Sequence, residues 1–185
     1  MNTEISQKEI MFYRALLALA LIVLAAALRL APHPWNFTPV GAMALFSGAV
    51  VRDRRLASIF PLVALFAGDV FIGFHKFIPI VYASFLVNVA IGLWLRDRRS
   101  IARIGLATLF GAIQFFIVTN FAVWQFLGSY PRTAAGLVAC YIAGLPFFGN
   151  TLAGDALYAA LLFGSFALAE RFSPALQRSS QRLLS

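Results

Sequence analysis

Between Arg55 and Arg96 the chain carries two charged residues, Asp69 and Lys76, and almost everything else there is apolar. Most of the remaining chain follows the same pattern. Overall 61% of the residues are hydrophobic and 12% are charged, against about a quarter charged in an ordinary soluble domain. In hydrocarbon every backbone N–H and C=O must find a partner within the protein, which admits only helices and closed barrels. Apolar runs of about 20 residues match a helix across the bilayer. The expectation is an all-α, polytopic membrane bundle forming a single domain over residues 1–185.

In chain order, span one covers about residues 11–30, and its alanine and leucine content favours helix. A signal peptide is the alternative for this stretch, since Lys8 and Arg14 precede the run and Ala25-Ala26-Ala27 resembles a cleavage site. The run is long enough to span, so an uncleaved first helix is the simpler reading. Span two, about 39–51, is rich in small residues and short. At ~1.5 Å per residue it gives only ~20 Å of helix against a ~30 Å core. Part of 34–38 must then lie within the membrane thickness, or the bilayer must thin there. Spans three, four and five are expected at about 56–73, 78–95 and 104–127. Residues 134–148 read as a half-helix or lid on the outer side, and 151–169 as span six. A basic amphipathic tail with Arg178 and Arg182 follows.

The formal charge is +8, a balance that in a soluble protein suggests nucleic acid. Here the bases sit in short loops between spans. Arg-Asp-Arg-Arg occurs at 52–55 and again, letter for letter, at 96–99. Lys8, Arg14, both of these loops, Arg103 and the C-terminal arginines fall on one side. The opposite loops hold Lys76 and Arg132, with Arg29 near the end of span one. The positive-inside rule accounts for this without nucleic acid and puts both termini in the cytoplasm, with six spans. Counting 134–148 as a seventh span would place the C-terminal arginines outside. Cys140 is the one cysteine, so there is no internal disulfide and no cysteine-rich metal site.

The corner Ala31-Pro-His-Pro-Trp-Asn-Phe-Thr-Pro-Val-Gly41 lies between the first two spans. Pro32, Pro34 and Pro39 exclude a regular helix, so the corner should cap the membrane or dip into it, covered by protein or lining a polar cavity. Other polar residues gather at the same end. Ala67-Gly-Asp69 and Ala153-Gly-Asp155 place two acids at similar depth on that side. An ionisable group within a span is a functional-site hypothesis by default. Asp155 also suits a helix start, whereas Asp69 near a helix end does not and would otherwise need an ion-pair partner in Lys76, His75 or Arg132. The pocket read from the sequence is built from His33, Asn36, Asp69, His75, Tyr82, Asn120, Trp124, Arg132, Asn150 and Asp155. Trp35, Trp124 and Tyr130 would pack the ligand's apolar faces, or form an interfacial aromatic belt. Asn88 and Gln114 in mid-span read as an interhelical hydrogen bond. Ala156, Ala160 and Gly164 read as a close-packing stripe, and Cys140 as inert core.

No Gly-rich phosphate loop, paired-histidine helix or nucleophile–base spacing is present, so the chain does not read as an enzyme. No cofactor is called for. The implied partners are the lipid bilayer and a small-molecule substrate. Without a phosphate-binding loop, any transport is driven by a gradient or by a partner.

The runs Pro32-His-Pro-Trp-Asn-Phe-Thr-Pro-Val-Gly41, Ala67-Gly-Asp69, Val81-Tyr-Ala-Ser84, Thr119-Asn-Phe-Ala-Val-Trp124, Tyr130-Pro-Arg-Thr133 and Pro146-Phe-Phe-Gly-Asn-Thr-Leu-Ala-Gly-Asp155 resemble those of a family of small bacterial inner-membrane proteins. More distantly, the chain is similar to the substrate-binding S components of energy-coupling-factor vitamin transporters and to the solitary cobalamin transporters. That resemblance implies a six-helix bundle in the bacterial inner membrane, with an outward-facing pocket for a vitamin-like molecule, cobalamin among the candidates. It also implies coupling subunits, although span one lacks the Ala-x-x-x-Ala docking motif. The turn at 73–80 lacks the cobalt-binding cysteine of the cobalamin type, leaving His75 or His33 as the cobalt contact. The rival reading is a membrane scaffold or assembly subunit whose polar cluster is structural.

Overall fold

The computed structural model describes residues 7–74 and 76–172. Six helices follow one another: α1 (Gln7–Leu28), α2 (Val40–Val50), α3 (Arg54–Ile72), α4 (Ile78–Leu95), α5 (Ile101–Phe126) and α6 (Ala134–Phe172). No strand occurs among the described residues. The all-α bundle expected from the apolar runs is therefore what forms, with helix ends within a few residues of those expected. All of the helices except α2 are long and apolar enough to cross a membrane. In their spanning windows only 22–33% of residues are buried within the bundle. Their apolar side chains thus face outward, as helices bathed in lipid do. The basic tail carrying Arg178 and Arg182 lies outside the described residues.

Successive helices alternate between two ends of the bundle. One end carries the two Arg-Asp-Arg-Arg loops; the other carries the 31–39 corner and the turns after α3 and α5. At the arginine end Arg14 of α1 pairs with Glu170 of α6 at 2.5 Å, so the described chain ends lie together there. Local signals set the boundaries. Asp53 caps α3 by accepting from the Arg55 and Leu56 N–H groups, and Ser100 caps α5 by accepting from Arg103 N–H. Gly73 (φ 109°) and Gly128 (φ 77°) take the left-handed conformations that end α3 and α5.

The expectation of a separate half-helix at 134–148 is corrected. That segment and span six form one helix, α6, of 39 residues with Pro146 inside it. A break there would leave backbone groups unpaired in apolar surroundings, whereas a proline within a helix removes a single N–H. The Gly149-Asn150-Thr151 stretch, which looks like a turn, stays helical; Thr151 Oγ1 donates back to the Phe147 carbonyl at 2.9 Å.

The short helix α2 is the inverse of the others. Residues 40–49 are all buried, so it threads the middle of the bundle, and its small side chains let its neighbours close in. At its crossing with α4, a Cβ on Gly48 would collide with the Val89 carbonyl, and one on Gly92 with the Leu45 carbonyl. The two backbones touch through paired glycines. Phe46 packs edge-on against Phe163 (5.2 Å) and Phe166 (5.6 Å) of α6. The close-packing role read for Ala156, Ala160 and Gly164 is not used within the bundle: a Cβ on Gly164 would meet nothing within 4 Å.

Both ends of α2 are finished by charges from other helices. Its N-cap, Pro39, offers no side-chain bond, and the buried Asp155 of α6 accepts instead from Ala42 N–H at 3.0 Å. At the other end Arg96 donates to the carbonyls of Gly48 (3.2 Å), Val51 (2.6 Å) and Arg52 (2.8 Å). An acid at the N-terminus and a base at the C-terminus both suit the helix dipole. Asp155 therefore caps α2, not the start of α6.

Candidate functional site

At ~1.5 Å per residue, the 11 residues of α2 span only ~16 Å of a ~30 Å core. The chain reaches its first turn through the corner, which descends into the bundle and passes so close to α6 that a Cβ on Gly154 would lie 3.0 Å from Thr38 N and 3.2 Å from the Phe37 backbone, a tight fit. Above α2, where a full-length helix would have continued, the helices enclose a cavity of about 510 Å³. Val40, Gly41 and Asp155 form its floor, and Arg29, Asn36, Thr38 and Tyr130 reach it from the loops and from the end of α1. The walls come from Ile80, Val81 and Phe85 of α4, Phe115, Thr119 and Asn120 of α5, and Cys140, Gly144, Phe147 and Thr151 of α6.

Arg29, on the cavity lining, is held in an ion-pair triad with residues behind it. Arg29 Nη2 donates to Asp69 Oδ1 at 2.7 Å, and Tyr82 OH donates to Asp69 Oδ2 at 2.7 Å. Arg29 Nη1 also reaches the Leu65 carbonyl at 3.2 Å. Gly68 makes this possible, since a Cβ there would lie 2.7 Å from Arg29 Nη1. The two Ala-Gly-Asp tripeptides therefore work alike. In each, the glycine lets another segment approach and the acid bonds what approaches. The partner of Asp69 is Arg29, not Lys76 or Arg132. A base just past the α1 C-terminus suits that helix end, and the pair compensates two charges that would otherwise be buried alone.

Of the residues nominated from the sequence, Asn36, Asn120 and Asp155 line the cavity, and Asp69 and Tyr82 hold the Arg29 that lines it. Four others do not line it. The ring nitrogens of His33 lie 3.0 Å from the Pro34 and Arg29 carbonyl oxygens. Trp124 Nε1 donates to the Pro131 carbonyl (2.9 Å), Arg132 Nη2 to the Gln125 carbonyl (3.0 Å) and Asn150 Nδ2 to the Trp35 carbonyl (2.9 Å). All four tie down turns whose backbone has no helical partner, which is why polar residues gather there. Trp35 is 81% exposed and packs no ligand face. His75 lies outside the described residues. No cluster of three metal-ligating side chains occurs among the described residues.

The residues missed by sequence reading are Arg29, Thr38, Thr119, Thr151 and the phenylalanine walls. Arg29 carried a usable signal: it stood apart from the other bases at the wrong end of span one. Cys140 is buried but lines the cavity, with Sγ 3.4 Å from the Asn120 carbonyl. Deeper in the bundle, Gln114 Nε2 donates to Asn88 Oδ1 at 2.9 Å and to the Ser84 carbonyl at 3.0 Å, the expected interhelical bond.

No curated protein and no solved structure matches this chain. A family model covers residues 10–176, a stretch that takes in the corner, the ion-pair triad and the whole cavity wall. The chain belongs to the family of unknown function DUF6580.

Proposed function

We propose that the protein is a substrate-binding membrane transport protein of the S-component kind, taking up a vitamin-like small molecule. The observation that carries this reading is the cavity above α2. Its volume of about 510 Å³ falls within the ~300–1,000 Å³ of small-molecule sites, and largely apolar walls with a few placed polar groups are their usual make-up. That volume favours a vitamin of one or two rings over a corrinoid. In this reading the protein sits in the bacterial inner membrane, and the basic loops at one end of the bundle support an orientation with both termini cytoplasmic. The cavity then opens toward the outer face, beneath the corner. The fold supplies no energy source of its own in this reading, so uptake is driven by a gradient or by coupling subunits.

A second reading, a membrane scaffold or assembly subunit, is favoured by a different observation. His33, Trp124, Arg132 and Asn150 all staple loops through backbone carbonyls, as a purely structural cluster would. A thermal-shift screen of the detergent-purified protein against vitamins and their precursors, cobalamin forms included, separates the two. A ligand at 100 times its Kd stabilises the native state by about 2.7 kcal/mol, so one member of the panel should raise Tm by several degrees. A well-folded sample that responds to nothing would favour the scaffold.

A further inference from the structure

The charges around the cavity do not cancel. Among the described residues, Arg29 and Asp155 are those with formal charge on its lining. The charge of Arg29 is spent in the wall on Asp69, at 2.7 Å, and the second Asp69 oxygen is taken by Tyr82. Asp155 has no such compensation. Its side chain is buried, with 4% of the residue exposed, and it is in no ion pair among the described residues. It accepts from Ala42 N–H, and the α2 N-terminus behind it supplies about half a positive charge. Both carboxylate oxygens lie against the first turn of α2, at the floor of the cavity that the residue lines.

We propose that the ligand presents a positively charged nitrogen, protonated or quaternary, to Asp155. The inference rests on the ligand-binding reading above and adds the charge class to it. The walls suit such a group. Phe85 and Phe115 stack at 5.1 Å, Phe147 and Tyr130 also line the space, and aromatic faces attract cations at desolvated sites. An anionic ligand would set two like charges side by side in a poorly solvated space. A neutral one would leave Asp155 with the α2 N-terminus alone as its electrostatic partner. Gly41 is part of the arrangement: a Cβ there would occupy the position of the carboxylate oxygens, so its absence lets the acid lie against the first turn of α2 at the cavity floor.

The test uses the full-length protein in detergent and a charge series of similar size: benzyltrimethylammonium, benzyl alcohol and phenylacetate, alongside the vitamin panel sorted by charge. The expected result is that benzyltrimethylammonium and the cationic members raise Tm and compete with one another, while phenylacetate does not. Asp155→Asn should weaken the cations by at least about tenfold, since removing one partner of a buried charge pair typically costs more than that. Should Asp155→Asn fail to fold for want of its α2 cap, the wild-type series decides alone. Binding of phenylacetate or anionic vitamins in preference to cations, or cation binding unchanged in Asp155→Asn, would overturn the charge assignment and leave the pocket standing. No response to any compound of either charge would overturn the pocket itself, and this inference with it.

Discussion

Arg29 shows how one side chain can join three helices. Its guanidinium links the end of α1 to Asp69 of α3, and Asp69 in turn accepts from Tyr82 of α4. The two charged side chains are only 15% and 5% exposed, so removing either partner leaves the other buried and unpaired. We expect Arg29→Gln or Asp69→Asn to destabilise the bundle by about 3–5 kcal/mol. Tyr82→Phe should cost less, about 1.5–3 kcal/mol, as the loss of one hydrogen bond to a charged group. Thermal unfolding of the three variants checks the order, and equal effects would contradict the geometry. The sequence announced that Asp69 needed a partner but not which one. Its candidates were chosen by closeness along the chain, whereas Arg29 lies 40 positions away and reaches in because position 68 is glycine.

At the scale of the element, α2 depends on what surrounds it. Gly48→Val or Gly92→Val would drive a branched side chain into backbone carbonyls of the facing helix, where neither wall can yield as a flexible side chain would. Overpacking usually costs about 1–3 kcal/mol, and backbone contact puts these at or above the top of that range; near-normal melting of either variant would show that α2 and α4 do not cross there. Arg96→Gln should lower Tm by withdrawing the charge from the α2 C-terminus, where it meets three carbonyls. The neighbouring α3 carries a pH signature. Hydrogen bonds from the Leu56 N–H, then the Arg55 N–H, hold the Asp53 carboxyl below its ordinary value. The stabilisation is therefore present above the unfolded carboxyl value of about 3.9 and is lost as pH falls through the lower folded value. Asp53→Asn keeps a capping oxygen without the titration, so its Tm should change less than that of the wild type between about pH 5 and pH 3, which bracket the carboxylate range.

For the whole molecule, alternation of the helices puts Asp97 and Ser129, both exposed, at opposite ends. The one native cysteine, Cys140, is buried, so introduced thiols can be read against a quiet background. In intact spheroplasts a membrane-impermeant maleimide should label Ser129→Cys and leave Asp97→Cys untouched until the membrane is broken. The reverse pattern would invert the orientation assigned from the basic loops, and labelling of both in intact cells would contradict the alternation itself. The length and polarity of each apolar run made most of the bundle legible. The fusion of 134–148 with the last span was not, because Pro146 and Gly149-Asn150 are turn residues in water, and only the cost of unpaired backbone in apolar surroundings keeps them helical.

The sequence by itself determined the class of structure, the placing of nearly every helix, and the separation of a basic end from a polar corner end. These follow from runs of neighbouring residues and from the bilayer's demand that backbone polar groups be paired. It also showed that 39–51 is too short to span, which is the origin of the cavity. Only the tertiary structure decided that this short helix lies at the centre, that Asp155 caps it across 113 positions of sequence, and that four of the nominated polar residues staple loops. Those outcomes depend on which backbones can approach one another, and thus on glycines at 41, 48, 68, 92 and 154, whose neighbours in space are far away along the chain.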